Sequence, residues 1–127
     1  MSKFIGRFST QTYALLRIVT GFLFMWHGAQ KLFAFPAAAS YKAPVHILYI
    51  AGPIELIGGV LVMIGLFTRS AAFLCSGLMA AAYWMVHGAK TFWPLLNGGE
   101  LAALYCFVFL FIAAQGPGIL SVDNARS

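Results

Sequence analysis

The chain has 127 residues, of which 61% are apolar and 9% are charged, and its mean hydropathy is +0.87. A soluble domain is typically about 45–50% apolar and about 25% charged, and one of this length has too little interior to hide so much apolar surface. The net charge of +5 comes from scattered basic residues, which does not fit a nucleic-acid-binding surface. The composition predicts an integral membrane protein whose partner is the lipid bilayer.

Apolar stretches follow one another along the chain, and a helix needs about 20 residues to cross a bilayer. They predict four helices, roughly over residues 10–35, 45–67, 70–88 and 99–115, in a single domain of residues 1–127. Pro36 and Pro44 bound the first loop, Thr68-Arg69-Ser70 is predicted to be a tight turn, and residues 88–99 form the longest loop. The first stretch is too long for a signal peptide and is interrupted by Arg17, so we expect it to be retained as a helix. The predicted fold class is an all-α, four-helix membrane bundle.

The distribution of Lys and Arg at the helix ends predicts the orientation. One side of the bundle holds Lys3, Arg7, Arg69 and Arg126, and the other side holds Lys31, Lys42 and Lys90. This bias predicts that both termini lie in the cytoplasm, with the protein in the cytoplasmic membrane of a bacterium or archaeon.

The second predicted helix carries a single carboxylate, Glu55, inside an apolar run over residues 47–67. Near the centre of a bilayer an ionised side chain costs about 2.5 kcal/mol or more unless it is paired or protonated. Gly52, Glu55 and Gly59 are spaced at i, i+3 and i+7, so they share one face of the helix. Glycines let a neighbouring helix approach closely. The spacing therefore predicts that another helix brings a partner to Glu55.

The first predicted helix offers three basic groups on one face, since Arg17, His27 and Lys31 fall within about 80° of each other at about 100° per residue. Polar residues within a membrane span normally face the interior of the bundle. His27 lies at the same depth as Glu55, which predicts His27 as its first partner, with Lys31 one turn above. Glu55 and His27 are then the candidate catalytic residues of a proton relay. Lys31 and Arg17 are candidate ligand-binding residues, although Arg17 lies nearer the cytoplasmic side, where a long side chain also snorkels to the interface.

A second polar group is predicted at the outer ends of the third and fourth helices. Tyr83, His87, Asn97 and Glu100 come together there, either as an interfacial rim or as ligand-binding residues that line a mouth above Glu55. Cys75 and Cys106 lie in apolar runs without a Cys-x-x-Cys spacing, so we expect them to be packing residues. No metal site is predicted.

A buried acid and an imidazole among aromatic rings suit a quinone, which is apolar, planar and carried by lipid. A histidine donates a hydrogen bond to a carbonyl oxygen and a buried acid relays a proton. Aromatic side chains such as Phe24, Trp26, Trp84 or Phe107 stack on the ring.

The chain resembles the DoxX family of small four-helix membrane proteins. Matching elements are Leu16-Arg17-Ile18 with Gly21, His27-Gly28 with Lys31-Leu32, Glu55-Leu56-Ile57-Gly58-Gly59, Gly65-Leu66-Phe67-Thr68-Arg69, Asn97-Gly98-Gly99-Glu100, and Gly116-Pro117-Gly118 with Ser121-Val122-Asp123. The chain departs from the family at Ile119, where relatives often carry a basic residue. The resemblance implies a four-helix membrane bundle and quinone-linked redox work, since a relative is the membrane subunit of thiosulfate:quinone oxidoreductase and others associate with oxidative-stress enzymes.

Several functions stay open at this point. The first is a quinone-interacting subunit of a membrane oxidoreductase or oxidative-stress system, with electrons supplied by a separate redox partner subunit, and whether the chain is itself catalytic is left undecided. The second is a non-catalytic anchor or assembly subunit. The third is a haem protein in which His27 and His87 ligate the iron across the bundle. Transport of a small molecule needs a homo-oligomer to form a pathway.

Overall fold

A computed structural model describes residues 2–39 and 44–127 of the protein. The described residues form helices and the loops that connect them, and neither described range contains a strand. The long helices are α2 (Ser9–Phe33), α3 (Val45–Ile64), α4 (Thr68–Ala82) and α6 (Glu100–Gln115). The short helices are α1 (Ser2–Gly6), α5 (Pro94–Asn97) and α7 (Val122–Arg126).

Gly65 ends α3 at Ile64, three residues earlier than the sequence predicts. Gly65 has a φ of +73°, and its N–H donates to the Leu61 carbonyl at 2.8 Å. This left-handed conformation favours glycine, and a Cβ at this position would also collide with Ser121. Gly65 therefore ends the helix and leaves space for the C-terminal segment to lie against it.

The start of α4 corrects the predicted tight turn over Thr68-Arg69-Ser70. Thr68 is already the first residue of the helix, because the Asp123 carboxylate accepts hydrogen bonds at this end. Oδ2 accepts from the Thr68 N–H at 2.9 Å and from the Thr68 hydroxyl at 2.8 Å, and Oδ1 accepts from the Phe67 N–H at 3.0 Å. The first N–H groups of a helix have no hydrogen-bond acceptor within the helix. Here Asp123, which is distant in sequence, provides that acceptor.

The two predicted loops differ in how much of them the structure describes. Part of the loop between Pro36 and Pro44, including Lys42, lies outside the described residues. The loop over residues 88–99 contains α5, which begins at Pro94. Before this loop, α4 widens into a π-helical segment, Tyr83–His87, in which the Gly88 N–H donates to the Tyr83 carbonyl at 2.6 Å.

The four long helices pack in sequence, with α2 against α3, α3 against α4 and α4 against α6. The bundle is closed by aromatic side chains that join α6 to α2, since the Phe24 ring centroid lies 5.0 Å from that of Tyr105 and 4.6 Å from that of Phe109. Val62 and Cys75 complete this core, and both are fully buried.

The outer surface of the bundle is strongly apolar. Ile57, Phe73 and Phe107 on three different helices are 60%, 65% and 68% exposed. Two segments, Val45–Ile64 and Thr68–His87, are long and apolar enough to cross a membrane, and the apolar α6 is shorter. Soluble monomers rarely expose such extensive apolar surface. The positions of the termini relative to a membrane stay a prediction.

Candidate functional site

The predicted partner helix of Glu55 is α2, and the group that pairs with the carboxylate is Lys31. The Lys31 Nζ lies 2.8 Å from Glu55 Oε2 and 3.1 Å from Oε1, and the hydrogen bond is made to Oε1. The side chains of Lys31 and Glu55 are only 11% and 4% exposed. Within residues 2–39 and 44–127 this is the one salt bridge, and both carboxylate oxygens lie within 3.1 Å of the ammonium nitrogen.

Glycines bring α2 and α3 together around this pair. A Cβ added at Gly28 would lie 2.6 Å from the Gly52 carbonyl oxygen, and one added at Gly59 would lie 2.8 Å from the Met25 nitrogen. The two backbones are therefore in contact, as the glycine spacing on α3 predicts. The Lys31 Cβ lies beside Gly52, one turn outward from Glu55, so its long side chain extends back along α3 to the carboxylate.

His27 is not the partner of Glu55, and this prediction is wrong. Gly28 faces α3 directly, so its neighbour His27 is turned about 100° away from that contact. The His27 imidazole packs edge-on against Tyr105 of α6 instead, with ring centroids 6.0 Å apart. His27 is half-buried and lies close enough to Lys31 for its charge to act on the imidazole. It therefore borders the ion pair without bonding to Glu55.

Tyr105 is a member of this site that the sequence analysis missed. Its side chain is buried, its ring stacks on Phe109 at 5.8 Å, and it lies within electrostatic range of Glu55. The only signal in the sequence is that Tyr105, Phe109 and Ile112 share one face of α6 at helical spacing. The site thus combines an acid, an ammonium group, an imidazole and a phenol at the junction of α2, α3 and α6. This collection can hold a proton or donate hydrogen bonds to an oxygen acceptor.

The predicted stacking residues divide between the core and the surface. Phe24 is 1% exposed and packs in the core, whereas Trp84 and Phe107 are 61% and 68% exposed on the outside of the bundle. Trp26 is half-buried and lies edge-on to Phe22 at 5.9 Å. Phe24 is the one of the four that contacts Tyr105.

Arg17 lies outside the Glu55 site and neither binds there nor snorkels to the interface. It is fully buried, and its guanidinium donates to the backbone carbonyls of Val62 at 3.0 Å, Ile119 at 3.0 Å and Leu120 at 2.6 Å, and also to that of Pro117. Five donors in a fixed fork can satisfy several carbonyls at once. Arg17 therefore fixes the segment after α6 against α3, which the sequence could not reveal because those acceptors are backbone atoms.

The tail, which comprises residues 116–127 after α6, is also held at this end of the bundle by hydrogen bonds of Tyr13 and Asp123. The Tyr13 hydroxyl donates to the Gly116 carbonyl at 2.5 Å. The hydrogen bond from the Thr68 backbone N–H, with those from the Thr68 hydroxyl and the Phe67 N–H, lowers the pKa of Asp123 below its ordinary value. The segment after α6 is therefore attached by hydrogen bonds from both α2 and α4.

The predicted outer group is only partly assembled. Asn97 is buried, and its amide donates to the Tyr83 hydroxyl at 3.1 Å and the Thr91 carbonyl at 2.9 Å, while its Oδ1 accepts from the Gly99 N–H at 2.7 Å. The His87 Nδ1 lies 3.0 Å from the Asn97 carbonyl oxygen. In the part of the chain that the structure describes, no hydrogen bond or ion pair connects this group to Glu55. Tyr83, His87 and Asn97 therefore hold the loop over residues 88–99 in place.

Glu100 does not join this network. It is exposed and lies in the first turn of α6, where a carboxylate interacts favourably with the helix dipole.

Both cysteines are reduced in the structure. Cys75 is buried beside Gly58, where a Cβ added to the glycine would lie 2.5 Å from its Sγ. The carbonyl of Cys106 accepts a hydrogen bond from the Ser76 hydroxyl at 2.7 Å. They occupy positions in the contacts of α4 with α3 and α6, as expected for small packing residues.

The model of the DoxX family matches residues 12–88, which include most of α2 and all of α3 and α4, with Arg17, Lys31 and Glu55. The chain belongs to the DoxX family. No solved structure matches. The DoxX family is membrane-associated, which agrees with the two apolar segments of this DoxX protein.

Two relatives extend the similarity over most of this DoxX chain. An uncharacterized protein of Haemophilus influenzae is 42% identical over 117 residues, which covers 87% of each chain. A Bacillus subtilis protein named "Putative oxidoreductase CatD" is 32% identical over 113 residues, or 86% of this chain and 82% of the relative.

Proposed function

We propose that the four long helices form a membrane bundle in the cytoplasmic membrane of a bacterium or archaeon, with both termini in the cytoplasm. The DoxX family is membrane-associated, and two helical segments are long and apolar enough to cross a bilayer. The apolar outer faces of α3, α4 and α6 suit contact with acyl chains, and the Lys and Arg bias of the helix ends favours cytoplasmic termini.

We further propose that this protein is a quinone-interacting subunit of a membrane oxidoreductase or an oxidative-stress system. The observation that supports this most is the buried Lys31–Glu55 pair, which places an ionisable carboxylate 2.8 Å from an ammonium group where α2 meets α3. A buried carboxylate that exchanges a proton suits the protonation steps of quinone reduction. The relative named as an oxidoreductase lends support at the level of reaction class.

The residues around Glu55 fit a quinone in chemical type. His27 and Tyr105, whose rings pack edge-on, carry N–H and O–H donors suited to a carbonyl oxygen. In this proposal Glu55 takes up and releases the proton, Lys31 holds the carboxylate in place, and His27 orients the ring. Reduction of a quinone consumes two electrons and two protons, and the electrons come from a separate redox partner subunit.

Quinone content provides the test. The full chain is purified in a mild detergent, and quinone is extracted with organic solvent and measured by chromatography. We expect wild-type protein to retain quinone and His27→Gln to retain about tenfold less, since a hydrogen bond of about 1.4 kcal/mol is lost. His46→Gln is the control, because His46 is exposed. Equal quinone in wild type, His27→Gln and an unrelated membrane protein purified alongside would contradict the proposal.

A non-catalytic anchor or assembly subunit is the second candidate, and the tight α2–α3 contact favours it. There the Lys31–Glu55 pair only locks the two helices together, in the way a buried polar pair fixes the register of a coiled coil. Under this function Glu55→Gln lowers the yield of assembled protein, and any quinone content is the same as in wild type.

A further inference from the structure

A shallow groove lies on the outside of the bundle where α4 begins and α6 ends, away from the Glu55 site. It has a volume of about 470 Å³ and is lined by Arg69, Ser70, Phe73, Leu74 and Ala113. The groove is open to the surroundings along its length. It combines a cation and a hydroxyl with large apolar side chains.

Arg69 gives the groove a positive charge that no described carboxylate neutralises. Its Nη1 donates to the Ala113 carbonyl at 3.0 Å and to the Ala114 carbonyl at 2.7 Å. These bonds hold the guanidinium at the mouth of the groove and cover the end of α6. In the described ranges no carboxylate lies within 4.0 Å of Arg69, and there its Nη1 makes the hydrogen bonds to protein acceptors, which leaves Nε and Nη2 available.

Phe73 and Leu74 form the apolar part of the groove. They follow Arg69 by four and five residues on α4, which places them about 6 Å and about 7.5 Å further along the helix axis. Their side chains are 65% and 56% exposed. The groove is thus polar at the helix end and apolar towards the middle of the bundle, which is the order in which a membrane presents its headgroups and acyl chains.

We propose that this groove binds an anionic phospholipid. The lipid phosphate accepts hydrogen bonds from the remaining Arg69 donors and the Ser70 hydroxyl, and one acyl chain lies along Phe73 and Leu74. A planar guanidinium matches the oxygens of a phosphate in two-pronged geometry. The proposal rests on the membrane placement proposed above and is independent of quinone binding.

Native mass spectrometry of the full chain tests this inference. The purified protein is stripped of lipid in detergent and titrated with phosphatidylglycerol or with phosphatidylcholine that has identical acyl chains. We expect phosphatidylglycerol to bind about fivefold more tightly, as expected for one basic residue at an anionic headgroup. Arg69→Gln should remove this preference, whereas Arg69→Lys should keep part of it. Arg7→Gln is the matched control, because Arg7 is an exposed arginine elsewhere on the chain.

A second variant covers the case in which Arg69→Gln does not fold. Leu74→Trp fills the groove and leaves the charge, so it should weaken the binding of both lipids. A tenfold excess of inorganic phosphate over lipid should leave phosphatidylglycerol bound, because the acyl chain contributes contacts that a free ion lacks. Equal binding of the two lipids to wild type, an unchanged preference in Arg69→Gln, or displacement by phosphate would overturn the proposal. A protein that retains no quinone but still prefers phosphatidylglycerol would contradict only the quinone function.

Discussion

Replacing Lys31 by Met leaves the Glu55 carboxylate buried without its cation. The two charged groups lie 2.8 Å apart, and their side chains are 11% and 4% exposed. At an effective dielectric constant of about 20 their attraction is about 6 kcal/mol, while the loss of hydration costs several kcal/mol for each ion. The intact pair therefore contributes little net stability. In Lys31→Met the buried carboxylate still loses its hydration but no longer gains the attraction to the ammonium group. We expect the free energy of unfolding to fall by about 3–5 kcal/mol.

The double variant Lys31→Met with Glu55→Leu should recover most of this loss. Both charges are then gone, and apolar side chains of similar volume fill the space, a replacement that is often neutral or stabilising. The free energy of unfolding is measured by titrating the detergent-solubilised protein with a denaturing detergent and following tryptophan fluorescence. Lys90→Met is the control, because Lys90 is an exposed lysine.

Two results would refute this reasoning. If Lys31→Met lost less than about 1 kcal/mol, the pair would behave like one at a solvated surface. If the double variant were no more stable than Lys31→Met, Lys31 would stabilise the protein through contacts other than the one with Glu55.

Three further predictions concern the packing and the tail. Arg17→Lys should release the C-terminal segment to proteolysis near Pro117, because one ammonium group cannot satisfy four carbonyls; a wild-type cleavage pattern would argue against this. Asp123 has a lowered pKa, so its stabilisation of the tail is complete above the unfolded pKa of about 3.9 and is lost as the pH falls through the lower folded value. Proteolysis of the tail should therefore increase at acid pH in wild type, and Asp123→Asn should remove that dependence. Gly28→Ala should separate α2 from α3 and lower the melting temperature. At the control position Gly77 a Cβ meets nothing within 4 Å, so Gly77→Ala should be neutral or stabilise α4 by up to about 1 kcal/mol. Equal effects of the two substitutions would contradict the close contact of α2 with α3.

The sequence was sufficient to predict that α2 and α3 meet at Glu55. A single charge in an apolar run needs a partner, and glycines at helical spacing mark the face where a helix can approach. It was not sufficient to choose between His27 and Lys31, because depth along the helix says nothing about the direction in which each side chain points. Gly28 takes the position facing α3, which turns His27 towards α6. Lys31, one turn further out, has the length to reach back.

The contacts of the tail could not be predicted from charge and helical spacing, for a different reason. Arg17 and Asp123 bind groups that are far away in sequence, and most of these are backbone atoms that carry no residue-specific signal. Tyr105 was missed because its partners His27 and Phe24 lie on another helix. The charge pattern and the helical periodicity describe one element at a time, whereas these contacts depend on how the elements are arranged.

The hydrogen bonds of Arg17 have a consequence for the synthesis of the protein. Three of its acceptors lie 100 to 103 residues further along the chain, so they leave the ribosome long after α2 has been made. Until they are made, Val62 provides the one backbone carbonyl among the four acceptors of Arg17 that the chain already contains. A chain that stops before Pro117 therefore keeps one of the four backbone acceptors of Arg17, and it should be less stable than the full chain.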